Sequence, residues 1–155
     1  MVRAEEEPLS VIRIRPPEAA ALLDGDPTIR YLDVRSVMEF DQGHPPRAVN
    51  IPLLDYNEDL GGMQPNERFV DVVLATFPKD TPLVVGCAAG GRSARAAIML
   101  EQAGFTRLSD MAGGFTGQRS PIGQLVEPGW TQCGLPTSHD SADGESYASL
   151  LERTP

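Results

Sequence analysis

The sequence has little cysteine, no long apolar run and a single lysine. Two cysteines, Cys87 and Cys133, stand among 155 residues. That is too few for a disulfide framework in a chain large enough to need none, so a reduced, cytoplasmic setting is expected. Apolar runs reach about half a dozen residues against the ~20 that span hydrocarbon. The start of the chain carries Glu5, Glu6 and Glu7 where an export signal has basic and then apolar residues. No membrane partner is expected. Positive charge is scarce too: 13 Lys and Arg against 22 Asp and Glu leave a formal net charge of -9. The basic residues are arginines apart from Lys79 and are scattered singly, so no nucleic-acid partner is expected. What remains, 41% hydrophobic and 23% charged, is the composition of one globular domain.

Fifteen glycines and fourteen prolines punctuate the chain densely, so its elements should be short. Val11 to Ile14 alternates like a strand, and Pro16-Pro17 open a helix over Glu18 to Leu23 that ends near Gly25. Tyr31 to Val34 is a short strand and Val37 to Asp41 one helical turn. Gly43-His44-Pro45-Pro46 must be a loop, since consecutive prolines donate to neither ladder nor helix. Ala48 to Ile51 resumes as a strand. Phe69, Val70, Val73, Leu74 and Phe77 sit at helical spacing within Asn66 to Phe77, after a Gly61-Gly62 loop and before Pro78. Pro82 to Cys87 has the continuous apolar character of a strand buried on both faces. Ser93 to Ala103 reads as a helix stopped by Gly104, Leu108 to Met111 as the last strand, and Gly113 to Glu127 as a loop and helix broken at Pro121. The alternation predicts an α/β fold with a central parallel sheet of about five short strands and helices on both faces. Residues 1–8 are read as an extension, 9–136 as the domain, and 137–155 as a polar, flexible tail with one final turn read at Tyr147 to Leu151.

Cys87 ends a buried strand and is followed by Ala88-Ala89-Gly90-Gly91-Arg92 and a helix start, the place where open α/β sheets put their ligand crevice. Gly90 and Gly91 permit positive φ, which lets the N–H groups from Ala88 to Ser93 turn inward as an anion-binding concavity at the positive end of the helix. An unassisted cysteine thiol is only about 3% thiolate at pH 7; converging N–H donors favour the anion without a histidine base. A strand cysteine is otherwise an ordinary buried hydrophobe. The glycine loop and Arg92, whose charge opposes the macrodipole at a helix start and so needs an anionic partner, argue for chemistry.

Cys87-Ala88-Ala89-Gly90-Gly91-Arg92-Ser93 resembles the active-site loop of the rhodanese (sulfurtransferase) family. Leu32-Asp33-Val34-Arg35, Glu39-Phe40, Gly43-His44 and Ala48-Val49-Asn50-Ile51-Pro52 resemble its first signature, and Met111-Ala112-Gly113-Gly114-Phe115 its closing one. The resemblance covers about residues 9 to 130 and implies a single-domain rhodanese fold. It also implies a two-step reaction, in which Cys87 takes a sulfane sulfur from thiosulfate, a polysulfide or a persulfide. The resulting Cys87 persulfide passes it to a thiophilic acceptor such as cyanide, a thiol or a protein sulfur carrier. Ala88, Ala89, Gly90, Gly91, Arg92 and Ser93 would bind substrate, with Arg35 bordering the pocket and Arg47 adding charge if it turns toward the loop. Ser93 either donates to the persulfide or caps the helix. Asp33 with Arg35 has the alternative reading of a buried polar pair.

A rhodanese-fold phosphatase has one more residue between cysteine and arginine than the C-x4-R spacing here. Gly86 to Ser93 follows the phosphate-loop pattern except that Arg92 replaces lysine, but in this chain it follows about the fourth strand. Cys87 and Cys133 are far apart in sequence and in no C-x-x-C pair, His139 lies in the polar tail and His44 reads as a loop residue bonding backbone, so no metal and no cofactor is expected. The alternative to transfer chemistry is a noncatalytic rhodanese-like binding or regulatory module. Ala88 stands where many thiosulfate-using relatives have a basic residue, which leaves the donor open. Gln118 takes the place of a common tryptophan, and Trp130 follows later.

Overall fold

Every residue of Leu83–Gly86 is buried, as a continuous apolar run requires when both faces of a strand are covered. The computed structural model describes residues 11–155; the extension read at residues 1–8 lies outside the described residues. In chain order the elements are β1 (Val11–Ile14), α1 (Pro16–Gly25), β2 (Arg30–Asp33), α2 (Val37–Asp41), β3 (Val49–Asn50), β4 (Leu54–Asn57), β5 (Gly62–Pro65), α3 (Phe69–Thr76), β6 (Leu83–Gly86), α4 (Gly91–Gln102), β7 (Leu108–Met111), β8 (Gln118–Arg119), β9 (Leu125–Glu127) and α5 (Tyr147–Glu152). Five strands form one sheet in the order β1-β7-β6-β2-β3, every neighbouring pair parallel.

The two-residue period of a strand divides the core. Leu83 and Val85 face one side with Leu32, Val34 and Leu108, where Phe69, Val72 and Val73 of α3 and Ala96 and Leu100 of α4 cover them. Val84 faces the other side with Tyr31, Ile14 and Met111, beneath Ala19 of α1, Phe40 of α2 and Trp130. Helices therefore cover both faces. Trp130 meets Tyr31 edge-on at 6.0 Å between centroids, and its Nε1 donates to the Pro136 carbonyl at 2.7 Å.

Three parts differ from the sequence reading. The helix expected within Gly113 to Glu127 is instead an antiparallel hairpin, β8 with β9, whose turn passes through Pro121 and Gly123. Ile122 and Val126 are exposed there, so the apolar residues have no core to face and no helical stripe to form. A second hairpin, β4 with β5, surrounds the Gly61-Gly62 loop. Finally, the stretch expected as a flexible tail is laid across the domain. Ser138 bridges His44, the Asn50 N–H donates to the Glu145 carbonyl at 2.8 Å, and α5 buries Leu150 in the core beside α3. Leu150, Tyr147 packed on the same core with its hydroxyl accepting from Asn66 Nδ2 at 3.0 Å, and a row of backbone bonds dock it, a signal too sparse to stand out from a polar composition.

Candidate active site

Cys87 is the first residue beyond the carboxyl end of β6, and its position is imposed from three sides. Behind it, the Tyr31 ring packs so closely on Gly86 that a side chain there would run into the tyrosine hydroxyl. Ahead of it, Gly90 takes the left-handed conformation (φ 117°) and serves as the N-cap of α4, which turns its N–H back onto Cys87 Sγ at 3.0 Å. Above it, the Phe115 and Thr116 N–H groups donate to the Cys87 and Ala88 carbonyls at 2.7 and 2.9 Å. Gly114 (φ 62°) makes that approach possible, since a Cβ would lie 2.5 Å from the Cys87 and Ala88 carbonyl oxygens. Gly114 of the closing signature thus lets the chain clamp the loop.

The sulfur is enclosed: Cys87 is 1% exposed and belongs to the core beneath α4. Besides the Gly90 N–H it meets Ser93 Oγ at 3.5 Å. Ser93 donates in turn to Asp110 Oδ1 at 2.6 Å, and Arg13 reaches the other carboxylate oxygen at 3.2 Å. Burial pushes the Asp110 carboxyl up against the lowering influence of Ser93 and Arg13. Among the described residues no acceptor takes the N–H of Ala88 or Ala89. Of the donors expected to turn inward, the structure shows one on the sulfur, the Gly90 N–H. Ser93 does not cap the helix; Gly90 holds that position and the hydroxyl is committed to Asp110.

Arg92 has an internal anionic partner. Its guanidinium grips Glu39 with two bonds, 2.7 and 2.9 Å. Glu39 is set by α2: Ser36 and Glu39 form a reciprocal capping box. Burial pushes the Glu39 carboxyl up, but hydrogen bonds from Arg92 and Ser36 and the Arg92 charge outweigh it and hold it at about 2. Arg35 is buried and bound to Asp33 at 2.6 Å and to the Gly43 carbonyl at 2.7 Å, with its guanidinium 4.4 Å from the Phe115 ring centroid. It borders the pocket as a structural pair. Arg47 is a correction: it leans on the Pro27 carbonyl at 3.4 Å. Pro27 precedes β2, so this is the amino end of the sheet, opposite Cys87, and Arg47 adds no charge to the loop.

Two hollows flank the loop. One, of about 300 Å³, is lined by Arg35, Glu39, Gln42, Ala88, Phe115 and Thr116. The other, about 860 Å³, runs between α2 and the β4–β5 hairpin along Met38, Leu54, Tyr56 and Met63, and ends at Glu39 and Arg92. Asp110, Phe115 and Thr116 were not singled out individually from the sequence, and Glu39 only as part of a signature. For Glu39 the Ser36-x-x-Glu39 capping pattern was a readable signal; for Asp110, in a strand far along the chain, there was none.

Fold and loop together define a class, a parallel α/β domain carrying a C-x4-R cysteine loop beyond its central strand. The Rhodanese-like domain model matches residues 15–120, and the chain belongs to the rhodanese-like family. It is similar to thiosulfate sulfurtransferase 16, chloroplastic, of Arabidopsis thaliana, 39% identical over 108 residues, which cover 70% of this chain and 78% of that protein. It is also similar to rhodanese-like domain-containing protein 15, chloroplastic, of the same plant, 44% identical over 87 residues, 56% of this chain and 46% of the relative. The match thus spans under half of that second relative. Among solved structures, Rv0390 from M. tuberculosis superposes with a TM-score of 0.68 at 27% identity, over 83% of this chain and 97% of that one.

Proposed function

We propose that the protein is a sulfurtransferase in which Cys87 carries a sulfane sulfur as a persulfide. The observation that carries this reading is the Gly90 N–H directed at Cys87 Sγ at 3.0 Å, inside a glycine loop at a helix start. The Gly90 N–H lies on the sulfur, and the Ala88 and Ala89 N–H groups, which have no acceptor among the described residues, are the groups we assign to a second, terminal sulfur. Thiolate attack on a divalent sulfur forms one S–S bond and breaks another, and the departing pair leaves with the rest of the donor. In the second step the acceptor, cyanide, a thiol or a carrier protein's thiol, takes the outer sulfur and returns Cys87 as thiolate. No residue of the site has to act as a base once the thiolate exists. The C-x4-R spacing and the enclosure of the sulfur favour a single added atom over a tetrahedral phosphate. The sulfurtransferase name of a relative that aligns over 78% of its length supports the same assignment.

The test is a divided reaction. Protein incubated with donor, freed of it by gel filtration and then mixed with cyanide should release close to one thiocyanate per chain, and Cys87→Ser none. Release that requires donor and acceptor together, or that survives in Cys87→Ser, would refute the covalent route.

A further inference from the structure

The apolar lining of the groove between α2 and the β4–β5 hairpin comes from residues outside the stretches that resemble the family's signatures. Tyr56 stands opposite Met63 across the hairpin, so Leu54, Tyr56 and Met63 share one face of it. Met38 of α2 completes the lining. The two walls are tied together, because the Val37 N–H at the start of α2 donates to Asp55 Oδ1 of β4 at 3.2 Å. Met38, Tyr56 and Met63 are nevertheless 60, 49 and 41% exposed, so nothing among the described residues covers the groove. Its volume, about 860 Å³, falls within the roughly 300–1,000 Å³ of sites that take a small organic molecule.

We infer that this groove holds the organic body of the sulfur acceptor, and that the acceptor it fits is a small apolar thiol without negative charge. The inference rests on the sulfur-transfer reading above and names its acceptor class. The groove leads to the loop: it ends at Glu39 and Arg92 and shares Glu39 and Gln42 with the smaller hollow lined by Ala88. Cyanide and thiosulfate are small ions with no body to place there, whereas a thiol has one. Charge narrows the class further. Arg92 is neutralised by its two bonds to Glu39, while Glu58, also in the lining, forms no ion pair among the described residues. The unopposed charge along the groove is therefore negative and repels an anionic thiol. The two methionines, flexible and polarisable, suit bodies of more than one shape.

The step balances without a further reactant. The thiol gives its proton to water, and RS⁻ bonds to the outer sulfur of the Cys87 persulfide, Cys87–S–SH. The bond between Cys87 Sγ and that sulfur breaks, its electron pair returns Cys87 as thiolate, and R–S–SH leaves with the proton the outer sulfur carried. Burying R beside the loop positions the attacking sulfur, and no groove residue exchanges a bond.

The experiment loads Cys87 from thiosulfate, removes the donor and discharges the protein with cyanide, 2-mercaptoethanol, benzyl mercaptan or 4-(mercaptomethyl)benzoate. Each thiol's rate constant is divided by its own rate with a small persulfide free in solution. Benzyl mercaptan should exceed 2-mercaptoethanol by about tenfold, the scale of half-burying a phenyl ring, and its para-carboxylate should lose most of that gain. Met38→Ser/Met63→Ser should reduce the advantage to about twofold. Both side chains are exposed, so the fold should persist; Tyr56→Thr, which keeps a strand-favouring residue, serves if it does not. Glu58→Gln should raise the carboxylate's rate relative to benzyl mercaptan by about threefold, the scale of one exposed charge. Benzyl mercaptan no faster than 2-mercaptoethanol, the result expected if a carrier protein's surface fills the groove instead, or an advantage that the methionine variant keeps, would overturn the inference while thiocyanate release left sulfur transfer standing. No discharge by any acceptor, cyanide included, would refute both.

Discussion

Ser93 Oγ donates to Asp110 Oδ1 at 2.6 Å while standing 3.5 Å from Cys87 Sγ. A hydroxyl has one proton, so its commitment to Asp110 leaves the oxygen facing the cysteine as an acceptor, able to take the thiol's hydrogen bond. Both Ser93 and Asp110 are buried. Ser93→Ala would strand a buried carboxylate without its shortest donor, and a loss of about 1–3 kcal/mol is expected. In a double-mutant cycle with Asp110→Ala, urea unfolding should give a coupling of roughly 1–2 kcal/mol. Additive losses would show that the bond contributes nothing to stability.

Gly86 and Tyr31 make a second coupled pair. A methyl at Gly86 meets the Tyr31 hydroxyl and lies 2.5 Å from its Cζ, and that ring is held by Trp130. Gly86→Ala should cost about 3 kcal/mol through overpacking. The Tyr31 hydroxyl is a buried polar atom without a partner among the described residues, so Tyr31→Phe should change stability by less than about 1 kcal/mol. Combined with Gly86→Ala it should recover part of the loss, since the hydroxyl is the first atom met. Chemical denaturation of the three variants checks this, and a double variant no better than Gly86→Ala would place the strain elsewhere.

The Glu39–Arg92 pair predicts a pH dependence of known sign. The folded carboxyl is held at about 2, below its ordinary 4.5, so the folded state binds fewer protons than the unfolded chain between those values. The pair's stabilisation is complete above about pH 4.5 and is lost as pH falls toward 2. With a third of the Glu39 side chain exposed, the screened contribution is roughly 1–2 kcal/mol. Glu39→Gln should be less stable by that amount at pH 7, and the gap should close as pH falls through about 2. Asp110, raised by burial, acts in the opposite sense but is common to both and drops out of the difference. A gap of equal size at both pH values would mean that the pair is not the cause.

The parts of this molecule legible in its sequence are those where one local pattern decides the outcome. Leu83 to Gly86 could only be a two-sided buried strand, Leu108 to Met111 and Val37 to Asp41 appear at the bounds read from the chain, and Gly104 ends α4 with φ 107°. Cys87, the glycine loop and the need of Arg92 for an anion were legible for the same reason. What supplies that anion was not, because Glu39 lies 53 residues away and only the sheet order, with β2 next to β6, brings the Glu39 carboxylate to Arg92 at the amino end of α4. The same holds for Asp110 beneath Ser93. The exposed hairpins and the docking of α5 by Leu150 were missed because their apolar content is low and their partners are remote.

The central claim is that Cys87 accepts one sulfur atom. Intact-mass spectrometry with peptide mapping, after incubation with thiosulfate or glutathione persulfide and removal of excess donor, tests it most directly. The account predicts a gain of a single sulfur confined to the peptide holding Cys87, removed by cyanide and absent from Cys87→Ser. A sulfur found on Cys133 with none on Cys87, or no gain from any donor by a folded protein, would contradict it.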